Sequence, residues 1–405
     1  MGSTATTGSA PETLRAGMVE HIKETGHGRT SSVREAMLTV PRHEFVPGTT
    51  IEDAYADIAV ITKRDAQGSA LSCASVPTIV AMMLDQLDVR PGHRTLEIGA
   101  GTGYNAPLLA HLTRPSGHVT TIDIDPEVTA HARRALDATG YGHVRVITRD
   151  GGLGDPQHQP YDRIIVTVGA WDIPPPWRDQ LTPGGRLVVP LRFPVSGLTR
   201  SIAFKLEEPG RMVGINAAVC GFVPMRGAAE MSEGHVRLAD DVILKLDADD
   251  LPDEAALAQA LTYPASEQWT GLQARHDEPA EHLDLWLATT NNGASFGRLS
   301  VGTAARAIGL VNPAVRWAGA TLYDGGTITY LAARAHTDET NELGVIAHGP
   351  DSSKLAGQTN DLLDRWSQER PARPIITAYP AGTPGDQLSP GLHIARPDTS
   401  LTIAW

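Results

Sequence analysis

The chain has 405 residues, of which 41% are hydrophobic and 20% charged, and it carries a net charge of −13. That composition is long enough for two folded domains of roughly 150 residues or more, and its negative charge excludes a large nucleic-acid footprint, since the arginines are too scattered to form a basic patch. Two cysteines, Cys73 and Cys220, exclude a disulfide framework, and no apolar run is long enough for a membrane span; a cytoplasmic protein without a signal peptide is expected.

MGSTATTGSAPE reads as a disordered lead-in, so 1–32 is taken as a lead-in with one helix. From about 76 to 190 helices and short apolar strands alternate. VPTIVAMMLDQL, NAPLLAHL and PEVTAHARRALDATG read as helices, the last opened by Asp125 and Pro126 and closed by Gly140. RTLEIG, HVTTID, VRVITRD, DRIIVTVG and GRLVVPL are β-branched runs bounded by Gly, Pro or Asp. The alternation predicts an α/β fold with a doubly wound, mostly parallel sheet. Composition shifts near 227–235, and 229–405 is expected to form a C-terminal mixed α/β domain. In it YDGG marks a hairpin, SKLAGQTNDLLDRWSQE a helix, and PIITAY and LTIAW strands; the tryptophans at 269, 286, 317, 366 and 405 suit a separate core. The acidic stretch 238–254 reads as a solvated edge or loop.

Gly99, Gly101 and Gly103 in EIGAGTG sit between a strand and a helix. Such a turn brings backbone N–H groups close to a ligand that a side chain would block. A dinucleotide fingerprint needs glycine at 104, where this chain has Tyr104. An acidic residue two places before the first glycine, with glycine at every second position after it, resembles the S-adenosylmethionine site instead. Glu97 would help place the cationic end of that cofactor, Asp123 would accept the ribose hydroxyls, and Asp150 with Gly151 would lie by the adenine. The expected cofactor set is Glu97, Gly99, Gly101, Thr102, Gly103, Tyr104, Asp123, Ile124, Asp150 and Gly151, with S-adenosylhomocysteine as product. Tyr104 reads as a shield over the turn.

The stretch ALSCASVPTIV (70–80) has hydroxyls but no neighbouring His, Asp or Lys to act as a base. The fourth strand lacks the Asn/Asp-Pro-Pro-Tyr of base N-methyltransferases. A covalent RNA methyltransferase would need a cysteine such as Cys73, against the acidic charge, and an alcohol acceptor usually needs a general base. A carboxylate, with a pKa of about 4, arrives ionised and needs only positioning and desolvation. The Ser75 hydroxyl can aim it by donating a hydrogen bond; a helix N-cap before PTIVAMML is the other reading of that serine.

VREAMLTVPRHEFVP (33–47), AYAD (54–57), Ser75-Val-Pro, the glycine turn (96–106), DG (150–151), YDRIIVTVGA (161–170), LTPGGRLVVP (181–190) and GFVPMRG (221–227) follow in order. With them the chain resembles the protein-L-isoaspartate O-methyltransferases over about 33–228. The resemblance implies a methyltransferase domain at 33–228, Ser75 as the active-site residue, cofactor contacts from Cys73 and Ala74, and a peptide or protein substrate bearing an aspartyl or isoaspartyl residue. Arg42, His43 and Val76 are the substrate-side candidates, with surface or packing roles the alternative for His43.

The family's usual Gln-Thr-Ile is Ser72-Cys73-Ala74 here, and a glycine-bearing loop has become VITKRDAQGSAL. With the extension over 229–405, expected to help recognise the partner, this layout resembles the branch that esterifies an aspartate of a dedicated, cyclised ribosomal peptide of lanthipeptide type. Ring closure of that ester gives a succinimide, then aspartate or isoaspartate. The alternative is general repair of L-isoaspartyl residues, and a degenerate peptide-binding protein is the third reading. His276 and His282 lack metal-ligand spacing, so no metal is expected. Trp171 and Trp177 either pack a loop or line the peptide site.

Overall fold

The computed structural model describes residues 10–193, 197–208, 210–227, 233–247, 252–275, 281–291, 293–315, 319–369 and 373–405. The lead-in before residue 10, the centre of the composition shift, His276 and Trp317 lie outside them.

The first four predicted strands form at Arg94–Ile98, His118–Asp123, Arg145–Thr148 and Tyr161–Val166, mutually parallel, and the fifth, Leu181–Arg192, joins Tyr161–Val166 in the same sense. Helices cover both faces, so Leu96, Ile98, Ile122, Ile164 and Val166 are all buried and the strands read as continuous apolar runs. The helix Pro126–Ala138 shows how the connections are specified. Asp125 caps it by accepting from Glu127 N at 3.0 Å, Val128, Ala132 and Leu136 make its buried stripe, and Gly140 at φ +84° ends it.

From Arg94–Ile98 the chain winds outward to Arg145–Thr148, then returns to the opposite side of Arg94–Ile98 through Tyr161–Val166. That reversal opens a crevice at the carboxyl ends of the strands, where ligands bind in doubly wound folds.

The sheet continues antiparallel through Thr199–Glu208 and Arg211–Cys220. The expected single unit at 229–405 divides here. Ile375–Pro380, Thr399–Ala404 and Leu392–Ala395 come back to complete a ten-stranded sheet, pairing through Thr377 with Val213 and Ala378 with Met212. Ile376, Ala378, Leu401 and Ile403 pack with Ile202 and Phe204 in one core. The edge of Arg211–Cys220 needed a partner, and short apolar strands do not say which edge they will cover.

Between them lies a seven-stranded antiparallel sheet, Glu233–Ala239, Val242–Asp247, Ser295–Val301, Gly319–Asp324, Thr327–Ala335, Thr340–His348 and Ser266–Arg275 in spatial order. The YDGG signal closes the expected hairpin, with Asp324 opposite Thr327. The helix Ser352–Glu369 packs on the sheet through Leu355, Leu362, Leu363 and Trp366. The acidic stretch corrects its expectation: Val242–Asp247 is an internal strand, with Val242, Leu244 and Leu246 buried. Period-2 alternation turns Lys245 to the other face. No helix among the described residues is long and apolar enough to cross a membrane.

Candidate active site

A cavity of about 680 Å³ occupies the crevice, lined by Leu71 to Ser75, Glu97, Gly99 to Thr102, Tyr104, Asn105, Asp123, Thr167, Val168, Phe222 and Val223, among others. A second, of about 400 Å³, shares Leu71, Gly99, Asp123 and Val168 with it and extends to Ile124, Gly151, Pro224, Met225 and Arg226. Together they make one cleft of small-ligand size.

The glycine turn is shaped by close approach. Gly99 has φ +101°, and a Cβ there would lie 2.7 Å from Thr167 Oγ1. Gly103, at φ +86°, faces Ala132 of the neighbouring helix, 3.0 Å from a Cβ, so it serves helix packing and not the cavity wall. Gly101 N donates to Asp123 Oδ2 at 3.1 Å and Asp125 N to Oδ1 at 3.1 Å. Each carboxylate oxygen keeps a second lone pair for a ribose hydroxyl.

Glu97 is 1% exposed, and burial pushes its carboxyl up to about 7. Asn105 Nδ2 donates to its Oε1 at 2.9 Å and the Thr121 hydroxyl also bears on the carboxylate, while the buried Oε2 makes no hydrogen bond within 3.5 Å. An orphaned acceptor beside a cavity fits a ligand that brings a cation, as S-adenosylmethionine does with its ammonium group. Asp150 does not line the cleft. It accepts from Gly152 N at 2.9 Å and its carboxylate lies against Gly227, so it shapes the turn that presents Gly151. Trp177, fully buried, donates through Nε1 to Gly151 O at 2.8 Å, and Trp171 lies 4.5 Å under the Arg396 guanidinium; both pack loops.

Cys73, Ala74 and Ser75 line the cleft at the end of the strand Ala70–Ala74, which pairs with Val60–Arg64. The N-cap reading of Ser75 is overturned. The helix Pro77–Leu87 has Val76 as its N-cap with no side-chain cap bond, and Asp57 supplies the acceptor instead, taking Thr78 N at 2.9 Å and Thr78 Oγ1 at 2.7 Å. Capping by Asp57 of the AYAD segment leaves the Ser75 hydroxyl available to the cleft.

Arg42 is not a substrate contact. It is wholly buried, its Nε donating to Ala54 O at 2.8 Å and its NH2 to Ser75 O at 2.9 Å. A polar residue after a proline reads as surface, and only the fold shows that two backbone segments and the Tyr104 ring close around it. His43 pairs through Nδ1 with Tyr55 OH at 2.7 Å, and neither His43 nor Val76 lines the cleft. The sequence reading missed Asn105, Thr167, Phe222 and the Lys63 ammonium, which reaches Asp125 Oδ2 at 2.7 Å and Glu127 Oε2 at 2.6 Å and ties the hairpin across the cleft. Each lies within a quoted stretch, Phe222 in GFVPMRG, Thr167 in YDRIIVTVGA, Asn105 in the turn 96–106 and Lys63 in VITKRDAQGSAL, but none carried a role there.

The reversal in strand order, the glycine turn at its carboxyl edge, Asp123 on the next strand and the orphaned Glu97 oxygen define an S-adenosylmethionine-dependent methyltransferase. Comparison with known proteins narrows the class. The family model for protein-L-isoaspartate(D-aspartate) O-methyltransferase (PCMT) matches residues 13–230. The protein-L-isoaspartate O-methyltransferase of Methanopyrus kandleri is 40% identical over 220 residues, covering 54% of this chain and 94% of its own. That of Hyperthermus butylicus is 43% identical over 223 residues, covering 53% and 88%. The chain belongs to the PCMT family, and it is a methyltransferase enzyme. A solved protein-L-isoaspartate O-methyltransferase shares the fold over 96% of this chain and 99% of its own, with a TM-score of 0.52 at 20% identity, so the C-terminal architecture has a counterpart.

Proposed function

We propose that the enzyme esterifies the free carboxylate of L-isoaspartyl residues in proteins or peptides, with Ser75 orienting the acceptor oxygen. The observation that carries the reading is the Ser75 end of the cleft: the lining residues include no His or Lys, the carboxylates Glu97 and Asp123 are those assigned to the cofactor, and a carboxylate is the common acceptor that needs no proton removed. Membership of the PCMT family and the names of its relatives support isoaspartate as the residue acted upon.

When bound, S-adenosylmethionine supplies an electrophilic methyl group, which passes to the carboxylate oxygen while the electron pair of the broken C–S bond stays on sulfur. Glu97 and Asp123 would hold its cationic end and ribose, with Gly151, Ile124 and Met225 around the base. Ser75 donates a hydrogen bond that fixes one acceptor oxygen, and the apolar walls Phe222, Val223 and Val168 exclude water that would solvate the carboxylate. The ester leaves as a neutral group, prone to attack by the following backbone nitrogen and closure to a succinimide with loss of methanol.

The reading of a dedicated ribosomal peptide keeps one supporting observation, the departure at Ser72-Cys73-Ala74, which lines the cleft. The extension no longer separates the two, because the similar solved structure spans it too. Methyl transfer to several unrelated L-isoaspartyl peptides, with none to their aspartyl counterparts, supports the first reading. Transfer confined to the aspartate of one cyclised peptide replaces it.

A further inference from the structure

The guanidinium of Arg42 is 0% exposed, and every group it touches is neutral: Ala54 O, Ser75 O and the face of the Tyr104 ring, whose centroid is 4.9 Å away. Its NH1 is buried without a hydrogen-bond partner, and among the described residues no carboxylate lies within 4.0 Å of it. Burial pulls its pKa down, against the opposing influence of Tyr104, Cys73 and Asp57. Buried cations are ordinarily paired, because the desolvation of an unpaired one costs several kcal/mol. Asp57 is the carboxylate whose charge bears on it, yet the two make no direct ion pair, and the Asp57 oxygen Oδ1 accepts from Thr78 instead.

The two segments adjoining this charge, Cys73 to Ser75 and Tyr104, are themselves walls of the cleft. We propose that Arg42 is kept without a direct ion pair so that the substrate supplies the nearer anion: its charge, acting through Ser75 and the Tyr104 ring, draws an anionic acceptor to the Ser75 end of the cleft and discriminates against neutral ones. The proposal rests on the carboxylate reading above. It assigns Arg42 a positioning and specificity role without contact. Because the acceptor's charge vanishes as the ester forms, the attraction is strongest in the bound substrate. It therefore acts on KM, favours release of the neutral product, and gives the transfer step little help.

The test compares R42Q and R42K with the wild-type enzyme, using a short synthetic peptide with one L-isoaspartyl residue and measuring S-adenosylmethionine affinity by calorimetry. R42Q is expected to raise the peptide KM about tenfold, the scale of one charge pair felt across roughly 10 Å at an effective dielectric near 20. Its kcat should stay within about threefold and its cofactor affinity should not weaken, whereas R42K, which keeps the charge, should hold KM within about threefold. An unchanged KM in R42Q, equal rises in both variants, or cofactor affinity failing in step with KM reduces Arg42 to a strut and overturns the proposal. If R42Q does not fold, R42K decides: a retained KM supports the proposal, and a tenfold rise rejects it. Wild-type enzyme that methylates no carboxylate removes the functional reading and this proposal with it, a failure visible before any variant is made.

Discussion

The sheet around Arg94–Ile98 and the sheet around Ser295–Val301 both pack on buried apolar cores, and they treat their strand ends in opposite ways. Parallel strands put every carboxyl end on one edge, so Glu97, Asp123 and Thr167 converge on one cleft. Antiparallel strands alternate their ends, and hairpins close them. There Asp241 spends its carboxylate on Ala304 N at 2.7 Å and its carbonyl on Gly302 N at 2.8 Å. Strand direction, more than composition, decides which half of the chain gathers unsatisfied polar groups into a site.

The end of the chain, which belongs to the first sheet, also bears on the cleft. Asp398 N donates to Asp172 Oδ2 at 2.7 Å, Thr399 Oγ1 to Ile173 O at 3.1 Å, and Arg396 covers Trp171. The chain's last strands therefore hold the loop that follows Thr167 and Val168 of the cleft.

The harshest way to break the comparison is to delete 373–405. If the last strands belong to the first sheet, the protein loses cooperative thermal unfolding, read by circular dichroism; retention of a normal melt would make them a dispensable appendage. Ser75→Ala is next. It should cut kcat/KM by about thirtyfold, the scale of one lost hydrogen bond to a charged group, with cofactor affinity by calorimetry almost unchanged.

The Glu97 carboxyl supplies a pH signature. A bound cation favours its ionised form, so affinity for S-adenosylmethionine should fall as pH drops through about 7. The loss should be about tenfold between pH 8 and 6, and Glu97→Gln should bind more weakly with a flat profile. In the free protein the sign reverses. The raised pKa means the native state holds its proton more tightly than the unfolded chain, so this group's stabilisation is complete below about 4.5 and is lost as pH rises through about 7. The smallest effect is expected at Lys63→Ala. Opening the bridge to Asp125 and Glu127 should speed cofactor release about two- to threefold in stopped-flow, a difference that high salt erases.

The glycine turn, Asp123 and the parallel strands were legible because each depends on local chemistry: a backbone needing φ above zero, a carboxylate at a strand end, a run of β-branched residues. Arg42 was misread, and Asp150 proved to shape the turn that presents Gly151, because burial and contact are set by segments far away in sequence. Ser75 shows both sides. Its lack of a neighbouring base could be read directly, but the capping role that competed for its hydroxyl was resolved only by Asp57, brought in from eighteen positions upstream.

The sequence by itself determined the cofactor class and the parallel half, since periodicity and turn chemistry act within a few residues. The tertiary structure decided that the last strands complete the first sheet, that Arg42 is a buried cation and that Glu97 keeps a free oxygen. Those outcomes depend on which distant backbone groups meet and on how much water their meeting excludes.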